Sequence, residues 1–368
     1  MDKSLVYPEG GRLRMLEAVR EFAADELEAS GAADGLRQRH ASFFTELVER
    51  AYAERFEREA EWHAALRRDY DNVYVALAWL YEHDVEEFLR LTGAFAYFAD
   101  RPIGAPRPQL EDALARAKPP PAIRARALST AAMRVNQQGD HDVAVAYARE
   151  AIELWRELGA TANEALTLIS LAHVHRSAGR DALMRATMEE ALRVGERSGD
   201  VHVAIRARLA LCQVLVAEND GDRTEKLAQE IRDAAVGADA LPRRHALHYL
   251  ADAALIREEF DLALARYVAA AQANWPLGNR SQTCFELQGV AMAAAGRGAS
   301  RAALKLFAAS DRMLASLGYK FNPKNFWRTW IARRVAQARE DLGGEADDAW
   351  REGEALSLEQ AVELAQSL

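Results

Sequence analysis

The spacing of apolar positions changes once, near the start of the chain. Residues 3–7 form a short apolar run, Pro8, Glu9, Gly10 and Gly11 spell a turn, and residues 12–15 can return as a second strand. From Leu13 onward the period is helical. Leu16, Val19, Phe22, Ala23 and Leu27 mark one face, which Gly31 ends. Asp34 stands ready to cap a second helix with Leu36, His40, Phe43, Phe44, Leu47 and Ala51 on its face. A third helix carries Leu66, Tyr70, Val73, Leu77 and Leu80. A fourth, over 85–98, carries Phe88, Leu91, Thr92, Phe95 and Phe98. Pro102, Pro106 and Pro108 lead into a short helix that ends near Ala117. Pro119, Pro120 and Pro121 then break the pattern, since consecutive prolines cannot continue a helix.

Beyond that break the pattern repeats. Residues 122–158 read as a helix, a turn at Gly139 and Asp140, and a second helix with Ala144, Ala148, Ala151 and Leu154. Gly179 and Arg180 take the turn position of a second unit, with Ala191 where Ala151 stood. The string Ala-Ile-Arg-Ala-Arg at Ala122 recurs at Ala204, an offset that carries Gly139 onto Gly221. A fourth unit turns at Glu258 and Glu259, with Ala263, Tyr267 and Ala270. A fifth turns at Gly298, with Ala303 and Phe307. Turn glycine, alanine, aromatic or small residue, alanine is the tetratricopeptide pattern, here at a period near 40. Helices of 327–342 and 358–368, the second capped by Ser357 after a turn at 353–357, would close the last repeat. The expected fold is all-α: a tetratricopeptide-like right-handed α-α superhelix, or solenoid, with a short N-terminal hairpin.

Composition narrows the function. Charged residues make up 28% of the 368, aromatics 8%, and the net charge is −9. A free-standing nucleic-acid-binding domain normally presents a basic face, so direct nucleic-acid binding is not expected. Cys212 and Cys284 lie in Ala/Leu-rich helical stretches and read as buried thiols of a reducing compartment. Neither a membrane span nor a secretion signal is visible, so a cytoplasmic location is expected.

The chain's two ends resemble a known family. Residues 2–6 and 11–23, containing Gly11-Arg12-Leu13-Arg14-Met15-Leu16-Glu17-Ala18-Val19-Arg20, look like the wing hairpin and following helix of bacterial STAND-class signalling ATPases, the LuxR-type and AfsR-like regulators. Arg39-His40-Ala41-Ser42-Phe43-Phe44 and Tyr70-Asp71-Asn72-Val73-Tyr74 are similar to that family's linking helices. Residues 302–310 and 350–362 look like its closing segment. The resemblance implies four regions: a wing remnant over 1–15, a helical linker or arm over 16–118, tetratricopeptide-like (MalT-like) repeats over 119–318, and capping helices over 319–368. It further implies a sensor or scaffold arm of a signalling ATPase or transcription regulator. No G-x-x-x-x-G-K-[ST] occurs, so no nucleotide site or other cofactor is expected.

Candidate chemistry is sparse, and no enzyme activity is expected. His173 and His175 lie ~200° apart on a helix and cannot share a metal from one face. His245, His248 and Asp252 do share a face, and read better as exposed polar residues than as metal ligands. The acidic run at 218–222 lacks the glycine of a calcium loop, Arg223 standing in its place. Glu258 and Glu259 read as a solvated face. Tyr319, Phe321, Phe326, Trp327 and Trp330 form an aromatic group that either seals the last repeat or, through Phe326, Trp327 and Trp330, offers a docking patch.

Repeat solenoids bind through the face made by the first helix of each pair. Counting back from each turn places Arg126, Ser129, Met133, Asn136 and Gln137 on that face in the first unit, and His173, Arg176 and Ser177 in the second. Arg208 and Glu218 follow in the third, His245, His248 and Asp252 in the fourth, and Gln288 and Met292 in the fifth. Arg126, Arg176 and Arg208 would line its first half with positive charge suited to an acidic peptide. The expected partner is a protein or peptide, or the nucleotide-binding part of a parent regulator, with oligomers left open. A stand-alone DNA-binding activator and an oligomerisation platform are the alternatives.

Overall fold

The structure, a computed structural model, describes residues 5–9, 12–98, 106–235, 241–318 and 326–368. The hairpin is present: β1 (Val6–Glu9) pairs antiparallel with β2 (Arg12–Met15), Val6 opposite Met15 and Tyr7 opposite Arg14. Its Gly10-Gly11 turn lies outside the described residues. Among the described residues everything else regular is helix, in two compact units: residues 1–160 with 173–179, and residues 161–172 with 180–368.

In the first unit, α1 (Glu17–Ala29) buries none of its residues, and Leu16 and Phe22 of the expected face are exposed at 63% and 65%. The helices α2 (Ala33–Ala53), α3 (Glu59–Arg67), α4 (Tyr70–His83), α5 (Val85–Phe95) and α6 (Arg107–Arg116) do form a core. Phe44, Val48, Leu66, Leu77, Phe88, Phe95 and Leu110 meet there, and α7 (Pro121–Gln137) adds Leu128. Asp84 caps α5 by accepting from the Glu87 N–H. α8 (His141–Glu157) completes the first helix pair.

Four more pairs follow: α9 (Thr161–Ser177) with α10 (Asp181–Arg197), α11 (Val201–Ala217) with α12 (Gly221–Ala234), α13 (Leu241–Ile256) with α14 (Phe260–Asn274), and α15 (Arg280–Gly296) with α16 (Ser300–Ser316). First helices begin at Pro121, Thr161, Val201, Leu241 and Arg280, intervals of 40, 40, 40 and 39 residues. The chain is thus all-α apart from the hairpin, with tetratricopeptide-like helix pairs.

The turn inside each pair contains one left-handed residue: Gly139 (φ 87°), Gly179 (φ 68°), Asn219 (φ 60°), Glu258 (φ 58°) and Gly298 (φ 82°). This corrects the register read from the repeated Ala-Ile-Arg-Ala-Arg string. The structural counterpart of Gly139 is Asn219; Gly221 instead opens α12, where a Cβ would stand 3.1 Å from the Ala253 carbonyl oxygen. Backbone conformation defines the repeat, and the string match is displaced from it by two residues.

The C-terminal part has three helices instead of the expected two: α17 (Phe326–Leu342), α18 (Ala346–Ala355) and α19 (Leu358–Gln366). Gly353, expected in a turn, lies inside α18 and is buried against the Lys305 backbone of α16. Ser357 caps α19 as expected, in a reciprocal capping box with Gln360. Among the described residues no helix is long and apolar enough to cross a membrane.

Candidate functional site

The first-helix positions picked out by spacing divide into three environments. In the first unit, Arg126 pairs with Glu49 on α2 (3.1 Å), donates to the Arg90 carbonyl (3.2 Å) and lies 4.8 Å from the Tyr52 ring. Its side chain is 14% exposed. The Ser129 hydroxyl donates to the Ala125 carbonyl, and the Asn136 amide donates to the Ser177 hydroxyl (3.3 Å). Met133, Gln137, Arg176 and Ser177 are exposed. His173 is half-buried; burial, with the charge of Arg176 beside it, pushes its imidazole down to about 4, so it is neutral near pH 7.

In the second unit, Arg208 of α11 bridges Glu196 (2.8 Å) and Glu230 (3.2 Å) with an 18% exposed side chain, and Glu218 pairs with Arg185. The free basic lining expected from Arg126 and Arg208 is therefore corrected. Both guanidiniums are spent on carboxylates of neighbouring helices.

The third environment is a buried polar cluster in the second unit, where α13, α14, α15 and α17 meet. His248 Nδ1 lies 2.9 Å from Glu286 Oε2, and His248 Nε2 lies 3.4 Å from Asp252 Oδ2. The Tyr267 hydroxyl donates to Asp252, and the Gln282 amide donates to Glu286 (2.7 Å). Trp327 of α17 closes the cluster: its indole N–H donates to Gln288 Oε1 (2.9 Å) and its ring sits 5.5 Å from that of His248. Gln288 in turn donates to Asp311 (3.3 Å), which pairs with Arg328 (2.5 Å).

Burial governs the charges here. It opposes protonation of His248, but Asp252, Glu286 and the hydrogen bond to Glu286 outweigh it and push the imidazole up to about 9. Burial also raises Asp252 to about 6, with His248 and the Tyr267 hydrogen bond pulling the other way. His245, half-buried beside the positive His248, is pushed down to about 4. Near neutral pH His248 is a cation held between two carboxylates, one on its own helix and one on the next first helix.

The expectation that His245, His248 and Asp252 form an exposed polar face is thus corrected, since Asp252, Glu286 and Gln288 are each at most 1% exposed. Met292 is also fully buried. Among the described residues no group of three His, Cys, Asp or Glu side chains is arranged to hold a metal ion. The docking patch changes as well. Trp327 is 6% exposed and anchored, and Trp330 is half-buried against the cluster that holds Ile205 and Tyr249. Tyr319, Phe321 and the Phe326 side chain lie outside the described residues. Cys212 and Cys284 are buried, burial pushing the Cys284 thiol up to about 12.

Spacing had singled out His248, Asp252, Gln288 and Trp327, and the structure brings these four together. It had missed Glu286, Gln282 and the polar role of Tyr267. A signal was present: Glu286 follows His248 by 38 residues, close to one repeat. Written at the repeat period, the carboxylate falls within two positions of the imidazole's counterpart on the next first helix.

Comparison with known proteins adds context. No family model matches the chain. Three proteins provisionally named HTH-type transcriptional regulators, one from Mycobacterium bovis and two from strains of Mycobacterium tuberculosis, are each 28% identical over 264 residues. The alignment covers 64% of this chain and 28% of theirs, so the chain matches less than a third of these relatives' length. Among solved structures, a Rap protein complexed with competence and sporulation factor overlaps at a TM-score of 0.48, with 12% identity over 91% of this chain and 90% of that one. BtubC (BKLC) from P. vanneervenii overlaps at 0.43, with 15% identity over 66% of this chain and 92% of that one.

Proposed function

We propose that this chain is a non-catalytic binding arm, a sensor or scaffold, of a signal-transduction ATPase or transcription regulator, and that its first helices receive a peptide or protein segment. One observation carries the reading. In the second unit α15 and α16 already hold a helix, α17, through an indole set on Gln288 of α15 beside His248 of α13 and a guanidinium on Asp311 of α16. A surface that seats one helix this way has the aromatic pocket and charged rim by which helical segments are recognised. The regulator setting is supported by the likeness to the mycobacterial proteins and by the resemblance of the chain's ends to STAND-class regulators. The acidic balance, −9 overall, disfavours a stand-alone DNA-binding activator.

A photo-crosslinking amino acid tests this when placed at Gln213, exposed on the first helix α11, and separately at Arg193, exposed on the second helix α10. Crosslinks to a partner concentrated at position 213 are expected in cells of the source organism. Equal labelling at both positions, or crosslinks only between copies of the chain, would refute a first-helix partner site, the second result in favour of an oligomerisation platform.

A further inference from the structure

Each helix pair turns through one left-handed residue, and three of the five turns meet that demand with glycine. The other two use Asn219 (φ 60°) and Glu258 (φ 58°), where a Cβ crowds the following carbonyl oxygen. The two positions belong to neighbouring pairs, α11 with α12 and α13 with α14, and both residues line the same cleft. Asparagine tolerates the left-handed region, but glutamate adopts it rarely. At 258 a charged side chain is therefore kept against the backbone preference, a coincidence typical of functional sites.

The rest of the lining divides into an apolar part and a charged part. Met292 of α15 is fully buried, Leu255 of α13 is buried, and Ile256 and Trp330 are half-buried beside them. The cavity volume is about 70 Å³. At about 10–15 Å³ for each water on that measure, there is room for about five to seven water-sized groups. A short branched aliphatic chain fits; a nucleotide, an oligosaccharide or a fused aromatic ring does not.

The charged part is positive on balance. Arg333 and Arg334 of α17 converge on one oxygen of Glu258, at 3.7 and 3.2 Å. The neighbouring carboxylates are already taken, Glu218 by Arg185 and Glu259 by Arg257 (3.0 Å). Arg334 is held further by Gln337 (2.8 Å) and by the Phe260 ring (4.7 Å), with its side chain 11% exposed. Burial and the charge of Arg333 hold it below the usual arginine range, against the pull of Glu258. Among the described residues the Arg333 guanidinium makes only the long contact with Glu258, and it is 74% exposed. One carboxylate thus serves two guanidiniums beside an apolar lining, an arrangement that a second carboxylate completes through charge-assisted hydrogen bonds.

We propose that this cleft is a binding site for a small carboxylate with a short branched aliphatic tail. The tail lies on Met292, Leu255, Ile256 and Trp330, and the carboxylate pairs with Arg333 while Arg334 and Glu258 hold the rim in shape. The Asn219 amide supplies a further donor within the lining. The same chemistry is offered by a free branched-chain acid and by the last residue of a peptide ending in leucine. The site is separate from the first-helix partner face, and neither depends on the other.

The experiment is isothermal titration calorimetry on the full chain. The probes are isovalerate; acetate, which lacks the tail; 3-methylbutan-1-ol, which lacks the charge; and indole-3-acetate, whose ring exceeds the cavity. Isovalerate is expected to bind, and the other three at least about ten-fold more weakly. Arg333→Gln, at a side chain too exposed to carry the fold, should weaken isovalerate at least about ten-fold. Glu258→Gln should tighten it several-fold by removing the carboxylate that competes for both guanidiniums. Opposite signs from two substitutions in one contact cannot come from misfolding. Gly-Gly-Leu and its C-terminal amide distinguish the sources. A free tripeptide that binds tighter than isovalerate, with the amide inert, assigns the site to a peptide terminus; a weaker one assigns it to a free acid. The proposal is overturned if isovalerate and the tripeptide both fail to bind, if any of the three control probes matches isovalerate, or if Arg333→Gln changes nothing. Crosslinking at position 213 tests the partner face alone, so either idea can fail while the other stands.

Discussion

Replacing His248 by glutamine removes the one cation from between Asp252 and Glu286 and leaves a neutral amide of similar reach. The consequence depends on pH, and its sign follows from the folded-state value. The imidazole is raised from 6.5 to about 9 on folding, so its contribution to stability is fully present below pH 6.5 and is lost as pH rises through about 9. At about 1.4 kcal/mol per tenfold change in proton affinity, the proton on His248 is linked to roughly 3 kcal/mol of folding free energy, and the side chain is 17% exposed, too little for solvent to screen much of it. Asp252, raised from 3.8 to about 6, acts in the same direction in a lower window: its protonated form is favoured in the fold, so stability falls as pH rises through 6. Tyr267 and Glu286 face the imidazole from α14 and α15. The assay is urea denaturation of wild type and His248→Gln, followed by circular dichroism across the range from pH 6.5 to above pH 9. The gap between the two proteins should be widest at the acid end and shrink by roughly 3 kcal/mol towards the alkaline end. A gap that stays constant with pH would show that His248 carries no linked proton, and the account of the cluster would fall with it.

Three further outcomes follow from packing and caps. Gly353→Ala puts a methyl group against the Lys305 backbone where α18 meets α16, and should lower stability by about 2–3 kcal/mol in a thermal melt, since helix backbones yield less easily than side chains. Ser357→Ala breaks the capping box of α19 and should cost about 1 kcal/mol, with faster amide exchange confined to that helix. Arg126→Ala strips Glu49 of a partner in a half-buried setting and should cost about 2 kcal/mol by chemical denaturation; a neutral result would mean that Arg90, 3.4 Å from Glu49, compensates in full.

The repeat was legible because its determinants are local. A left-handed turn residue and small residues at helix crossings recur within each unit, so the interval near 40 residues and the five pairs can be read from the turn and small-residue positions. The register was harder, because Asn219 and Glu258 fill the same backbone slot without announcing it, and a chance string match pulled the third unit two residues out of place. Helix α18 was hidden for a related reason. Gly353 looks like a helix breaker, yet it is there for close approach to α16, a requirement that only the folded chain reveals.

The side-chain chemistry was half legible, and the missing half consists of ties between helices. Four polar ties in this protein run between elements roughly one repeat apart: His248 to Glu286 over 38 residues, Arg266 to Glu225 over 41, Asn136 to Ser177 over 41 and Ser300 to Asp341 over 41. A reading that asks which residues share a helix face sees only one end of a tie between helices, and so takes Asp252, tied to Tyr267 of α14, and Arg208, tied to Glu196 and Glu230 of α10 and α12, for exposed groups awaiting a ligand. Because the ties consume most of the polar residues that spacing nominates, a partner cannot be recruited by those residues without breaking the stack.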